Sequence, residues 1–266
     1  MTDPAPDAGA PPRDSGFVQS LERGLAVIRA LSTPDRQTLS DVARTTGLSR
    51  AAARRFLLTL ERLGYVSRQD GRFALTPQVL ALGYAFLSSL TLPEVAQPHL
   101  ARLVEHVHES SSVSVLDGRD VVYVARVPTR RIMTVSITVG TRFPAHATSM
   151  GRVLLAGLTA PERAGALDGV ELAPITPETI TARAALEAEL DRVAAQGYAL
   201  VDQELEVGLR SIAVPVHDPA GTVVAAMNLS THAGATSVDE MRERLLPPLR
   251  DTAAAVERDL AVARPR

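Results

Sequence analysis

The sequence predicts an α+β protein in two parts: an N-terminal winged helix-turn-helix and a larger C-terminal domain of mixed strands and helices. Three observations lead there. Three short helical segments between Gln19 and Leu63 are followed by an Asp70-Gly71 hairpin signal. Positive charge is concentrated in that same stretch, and from Pro93 onward strand-like and helix-like segments follow one another.

Leu21, Leu25, Ile28 and Leu31 recur at helical spacing, so a first amphipathic helix is expected from Gln19 to about Leu31, closed by Pro34 and Asp35. Thr38-Leu-Ser-Asp41 has capping-box spacing and opens a short second helix through Leu39, Val42 and Ala43, which Gly47 terminates. Ser49 is a good N-cap for a third helix. Its expected buried stripe is Ala53, Phe56, Leu57, Leu60 and Leu63, with Gly64 as the stop. Tyr65-Val66 and Phe73-Ala-Leu75 flank the Asp70-Gly71 turn as a hairpin, which completes a winged helix. Thr76 and Pro77 then open a connector helix through Leu80, Leu82, Ala85 and Leu87 to about Leu92-Pro93.

In the second part a helix is expected from Val95 to about Glu109, and strands over Ser112–Leu116, Val121–Val127 and Ile132–Val139. Helices follow over Ser149–Leu158 and Ala182–Ala195, and strands over Tyr198–Val201, Leu209–His217 and Thr222–Ser230. Ser237-Val-Asp-Glu240 is a second capping box, opening a C-terminal helix that Pro247-Pro248 is expected to kink or interrupt. The domain division is therefore 1–15 as a disordered tail, 16–75 as the winged helix-turn-helix, 76–92 as the connector and 93–266 as the second domain.

The chain contains 28 Lys plus Arg, and all of them are Arg. Without lysine there is no Walker P-loop, no Schiff base to a carbonyl or pyridoxal cofactor and no Ser-x-x-Lys centre. Without cysteine there are no disulfides, thiolate nucleophiles or Cys-type zinc sites. The longest apolar runs, such as Val121–Ala125 and Val223–Met227, fall far short of the roughly 20 residues that span a bilayer. The opening segment lacks the basic start and apolar stretch of a signal peptide, so a cytoplasmic protein with no membrane partner is expected. The net charge of -2 conceals a division: residues 16–75 hold ten Arg against five acidic residues, whereas 76–266 hold seventeen against twenty-two.

With the apolar stripe of the third helix buried, Arg50, Ala51, Arg54 and Arg55 point outward. There the guanidinium groups can meet phosphates or guanine edges of double-stranded DNA. Arg72 in the wing, and also Arg68, can reach flanking phosphates.

The stretch Gly16-Phe-Val-Gln-Ser-Leu-Glu-Arg-Gly-Leu-Ala-Val-Ile28, together with Leu48-Ser-Arg-Ala-Ala-Ala-Arg-Arg-Phe-Leu-Leu-Thr-Leu60, resembles the IclR family of transcription regulators. Val121–Met133 and Phe143–Ala156 resemble its branch that regulates aromatic acid degradation through protocatechuate and β-ketoadipate. The resemblance implies a GAF-like α/β effector-binding domain, a homodimer or homotetramer, and operators near catabolic genes. It further implies an effector cavity lined by Ser149, Met150, Leu209, Ser211, Asn228 and Ser230. Thr148, Ser149, Ser211, Asn228 and Ser230 offer neutral hydrogen-bonding groups without a poised acid or base, which suits holding a small acid rather than transforming it. Arg126, Arg130, Arg131 and Arg142 lie in the same half of that domain, and one of them can pair with an effector carboxylate.

No cofactor and no metal are expected, and an enzyme reading finds little support. His106-x-His108 lacks the His-Glu-x-x-His pattern, and His146 near Ser149 lacks a Gly-x-Ser-x-Gly elbow. Two alternatives stay open: a regulator of another carbon-catabolic pathway, or a winged-helix interaction module that does not touch DNA.

Overall fold

The computed structural model of the chain describes residues 17–33, 35–82, 91–129 and 137–263. They form two compact units that part between residues 86 and 87. The tail expected over 1–15 lies outside the described residues.

The first unit contains α1 (Gln19–Ala30), β1 (Gln37–Thr38), α2 (Leu39–Thr46), α3 (Arg50–Arg62), β2 (Val66–Gln69) and β3 (Arg72–Leu75). Thr38 closes both bonds of the capping box with Asp41, and Gly47 ends α2 at φ 68°, a left-handed conformation open to glycine. The Ser49 side chain accepts from the Ala52 N–H and starts α3. Asp70 and Gly71 both take positive φ, and β2 pairs β3 through a two-residue turn.

Two details of the apolar stripes differ from expectation. In α1 the buried residues are Val27 and Leu31, whereas Leu21 and Leu25 are exposed. The helix is rotated so that its Gly24 side meets the Phe56 ring, and the stripe falls to one side of the Leu21/Leu25 line. In α3, Ala53, Leu57 and Leu60 are buried but Leu63, at the C-cap, is exposed. The two-residue strand β1, too short to leave a periodic signal, adds a third strand to the wing by pairing with β3.

The connector opens on a 3₁₀ turn, Pro77–Val79, which Thr76 caps, and residues 83–90 lie outside the described residues. The helix α4 (Thr91–Val107) runs through Pro93 instead of restarting after it. Pro93 sits in its first turn, where a missing N–H costs no intrahelical bond.

The second unit is a six-stranded antiparallel sheet in the order β6-β5-β4-β9-β8-β7, with β4 (Ser110–Asp117), β5 (Asp120–Val127), β6 (Arg142–Pro144), β7 (Ala199–Asp202), β8 (Leu209–His217) and β9 (Val223–His232). Helices cover both faces. On one face α4 and the C-terminal α9 (Leu246–Ala263) bury Leu100, Leu103, Leu249 and Val256 against Val113, Ile212, Val214 and Met227. On the other lie α5 (Ser149–Ala156), α6 (Ala160–Leu167) and α7 (Arg183–Gln196). Leu155, Leu186 and Leu190 from that layer pack on Val121, Ala213 and Ala226. Sheet residues alternate between the two cores, as a period of two requires, except at the β4–β5 bulge, where Val124 and Ala125 both enter the first core.

Three expectations change here. Of the strand expected over Ile132–Val139, residues 130–136 lie outside the described residues, and Ile137 to Val139 are not strand. The strand beside β5 is Arg142–Pro144 instead. The helix α6 was not anticipated, although Thr159 and Glu162 form its capping box and Pro161 stands in its first turn. Pro247-Pro248 do not interrupt the C-terminal helix. A capped turn, α8 (Val238–Glu240), widens into a π turn over Met241–Leu245 and continues directly as α9, so the irregularity falls just before the prolines. No described helix is long and apolar enough to cross a membrane.

Candidate functional site

Two places combine exposed or enclosed polar chemistry with a rigid support. The first is the outer face of α3. Ala53 and Leu57 anchor the helix in a core with Val27, Val42 and Phe73, which leaves Arg50, Ala51, Arg54 and Arg55 exposed. Among the described residues no ion pair engages Arg50, Arg54 or Arg55. By contrast, Arg44 pairs with Asp41 at 2.8 Å and Arg68 with Glu61 at 3.4 Å. Arg72 is exposed in the wing and, among the described residues, its side chain reaches only the Arg36 carbonyl, at 3.4 Å. Three unpaired guanidinium groups on one helix face are free to pair with phosphate or base edges.

The second place is a small enclosed cavity of about 10 Å³ between α5 and the sheet, lined by Ser149, Met150, Leu209, Ser211, Asn228 and Ser230. All six of the sequence-derived effector residues meet there. Larger hollows, one between α4 and α9 and one beside Gly157 and Val223, are more open to solvent. The enclosed one has room for about one water molecule, well short of the roughly 300–1,000 Å³ of small-molecule sites, so an aromatic ring enters only as its walls part.

Register explains the convergence. Ser211 faces Ser230, and Ser230 faces Ser110 across β8, β9 and β4, so their side chains share one side of the sheet. Thr148 caps α5 by accepting from the Gly151 N–H and sets Ser149 and Met150 over that row. A side chain at Gly151 would run into the Ala145 backbone, so glycine is what lets α5 press against the preceding turn. The Ser211 hydroxyl donates to Ser149 Oγ at 2.9 Å, and Asn228 Nδ2 donates to Ser230 Oγ at 2.9 Å. Tyr123, Ile137, Ala147, Val201 and Leu205 complete the lining. These were not identified from the sequence, because an apolar or aromatic residue at strand spacing carries no mark separating cavity from core.

A buried ion network holds the cavity walls. Arg152, one turn after Ser149, is 1% exposed. It donates to Glu204 Oε2 at 2.5 Å and to the His146 carbonyl at 2.9 Å, and it lies 3.9 Å from Glu189. Glu204 also accepts from the Ile180 N–H and immediately precedes the lining residue Leu205. Burial pushes the His146 imidazole below its ordinary range; a hydrogen bond to the Ala173 backbone and the Glu204 charge oppose this, and the Arg152 charge adds to it. Its Nε2 is buried without a hydrogen-bond partner among the described residues.

Of the arginines considered for an effector carboxylate, Arg142 is occupied by Asp117 at 2.6 Å and Asp120 at 3.2 Å. Arg130 and Arg131 lie outside the described residues. His106 and His108 join no metal-type cluster, since none of three or more ligating side chains occurs among the described residues.

Comparison with known proteins places these features in a family. Residues 20–70 match the IclR helix-turn-helix domain, and residues 84–258 match the C-terminal domain of bacterial transcriptional regulators of the IclR type. The chain is 43% identical to the Pca regulon regulatory protein of Pseudomonas putida, over 93% of this chain and 84% of that one. It is 38% identical to the p-hydroxybenzoate hydroxylase transcriptional activator of Acinetobacter baylyi, over 91% of each. An IclR homolog from Microbacterium hydrocarbonoxydans, solved as its complex with 4-hydroxybenzoate, superposes with a TM-score of 0.81 at 27% identity, covering 92% of this chain and all of that one.

Proposed function

The chain belongs to the IclR family of bacterial transcriptional regulators, and from that premise we propose that it controls genes of aromatic acid catabolism by binding operator DNA in response to a small aromatic acid. In this reading α3 enters the major groove, with Arg50, Arg54 and Arg55 against bases and phosphates and Arg72 of the wing against the flanking backbone. The working form is a cytoplasmic homodimer or homotetramer, which presents two copies of α3 to half-sites about one helical turn apart. The effector occupies the cavity under α5, where Ser149, Ser211, Asn228 and Ser230 supply neutral hydrogen bonds and Met150 and Leu209 supply apolar wall.

The observation that carries this reading is the closed, hydroxyl-lined cavity that lacks a poised acid or base. A site of this composition binds without converting. The Ser211–Ser149 hydrogen bond joins two walls of the cavity, so an effector that takes either hydroxyl changes how α5 is held against β8. Such a ligand acts on DNA binding only through unequal affinity for the two arrangements.

The test is fluorescence anisotropy of the full chain on DNA from upstream of its own gene, across a salt series, with and without 4-hydroxybenzoate and protocatechuate. Specific binding that weakens steeply with salt and shifts with one of the acids is the expected result. Specific binding indifferent to every acid overturns the aromatic assignment, and no binding at low salt overturns DNA recognition by α3.

A further inference from the structure

Arg126 stands apart from the other arginines of the effector unit. It lies on β5, and its guanidinium is half-buried. The others that withdraw from solvent are paired with carboxylates: Arg152 with Glu204, Arg210 with Asp202 and Arg163 with Asp191. Arg126 makes a single side-chain bond, from Nη1 to the neutral Ser112 Oγ at 3.1 Å. Four of its five N–H donors have no protein acceptor among the described residues. A desolvated cation without an anion is costly, and here burial is the main cause that lowers its tendency to hold its proton.

The register places this charge on the cavity side of the sheet, beside the lining residues rather than among them. Arg126 faces Ser112 across β5 and β4, and Ser112 faces Asn228 across β4 and β9. Hydrogen bonds follow the same row: the Ser112 N–H donates to Asn228 Oδ1 at 3.0 Å, and Asn228 Nδ2 donates to Ser230. Asn228 and Ser230 line the cavity, and so does Tyr123, which faces Ser114, two residues along β4 from the Arg126 row, and shares its face because β5 bulges between them. The Tyr123 hydroxyl has no hydrogen-bond partner among the described residues. Burial pushes its pKa up to about 12, with the Arg126 charge opposing, so it remains a proton donor.

We propose that Arg126, with the Tyr123 hydroxyl beside it, is the carboxylate-binding end of the effector cavity, and that it selects hydroxylated aromatic acids over their uncharged analogues. This rests on the effector reading above and adds the polarity of the ligand. The carboxylate takes the unused guanidinium donors and the phenol O–H. As the walls part, the ring takes the space beside Ile137, Met150 and Leu205, and the far hydroxyl meets the Ser149/Ser211 pair. The Arg126 carbonyl accepts from Gln97 Nε2 at 3.4 Å, so a ligand drawn to Arg126 also bears on α4.

The test is calorimetric titration of the full chain with 4-hydroxybenzoate and, in parallel, with 4-hydroxybenzamide, which keeps size, ring and hydroxyl but has no charge. Wild type is expected to prefer the acid by at least about tenfold, because a charge-assisted pair is roughly twice as strong as a neutral one. Arg126→Gln is expected to weaken the acid by about 10- to 100-fold while leaving the amide within about threefold, and Arg126→Lys to fall between. Tyr123→Phe is expected to weaken the acid by a few fold. Unliganded affinity for operator DNA reports that each variant is folded. Wild type that binds amide and acid equally overturns the clamp without any variant. Equal loss of both ligands in Arg126→Gln also overturns it, because that pattern belongs to a purely structural arginine. Wild type that binds neither compound overturns the effector reading itself, and the clamp with it.

Discussion

Replacing Arg152 by Met tests whether the buried ion network holds the effector cavity together. The substitution keeps most of the side-chain length but strands two carboxylates, Glu204 and Glu189, whose side chains are 9% and 8% exposed. Glu189 retains Arg192, and Glu204 retains only neutral donors such as the Ile180 N–H at 3.0 Å. Breaking a buried pair from one side costs about 3–5 kcal/mol. In a unit of this size each kcal/mol moves the thermal midpoint by about 2–4 °C, so a fall of roughly 6–20 °C is expected. Glu204→Gln should cost less, about 1.5–3 kcal/mol, because Arg152 keeps Glu189 nearby and the amide oxygen still accepts. The double variant Arg152→Met/Glu204→Leu should recover part of the loss, since neither charge is then left alone. Differential scanning calorimetry of the full chain reads all three. A midpoint in Arg152→Met no lower than in Glu204→Gln, or shifts under about 2 °C in both, would refute the view that this pair is desolvated and structural.

Further outcomes follow from other parts of the molecule. Arg54→Ala with Arg55→Ala should weaken operator binding by about 1–3 kcal/mol for each guanidinium that reads a base, and should reduce the salt slope by about one for each that meets a phosphate; unchanged anisotropy curves from a folded variant would move the reading head off α3. Ser211→Leu places a larger apolar side chain against Ser149 and removes their hydrogen bond, so it should abolish the response to aromatic acids and fix DNA affinity at one value with or without acid, and an intact response would remove Ser211 from the site. The His146 imidazole is held below its ordinary 6.5 in the fold, so the unfolded chain takes up the proton first as pH falls. Its contribution is therefore complete above about 6.5 and is lost as pH drops toward the lowered value, so thermal midpoints measured from pH 8 to 5.5 should fall less steeply in His146→Gln than in wild type. Equal slopes would exclude His146 as the source.

The elements that sequence revealed most sharply are those with local chemical causes. The Thr38–Asp41 and Ser237–Glu240 boxes, the Ser49 cap, the left-handed Gly47 and the Asp70-Gly71 turn each satisfy backbone groups within a few residues, so they read directly off the chain. What it hid depends on packing at a distance. The rotation of α1 that exposes Leu21 and Leu25 is decided by contact with α3, and both faces of α1 carry apolar residues enough to mislead a periodicity argument. The strand β6 is only three residues long and owes its place to pairing with β5. The polar residues of the cavity were reached through family resemblance, whereas Tyr123 and Arg126 acquire meaning only from the strand register that sets them beside Asn228. The Arg152–Glu204 pair joins residues 52 apart, and neither is distinguishable in sequence from a surface charge.

The most direct test of the account is a calorimetric titration of 4-hydroxybenzoate into the full chain alone and into the chain saturated with operator DNA. If the cavity regulates DNA binding, the two dissociation constants differ, and by the same factor with which the acid changes operator affinity, because coupling between two sites is reciprocal. Identical dissociation constants, with the acid bound and DNA retained, would show that the cavity and α3 are uncoupled and would contradict the account.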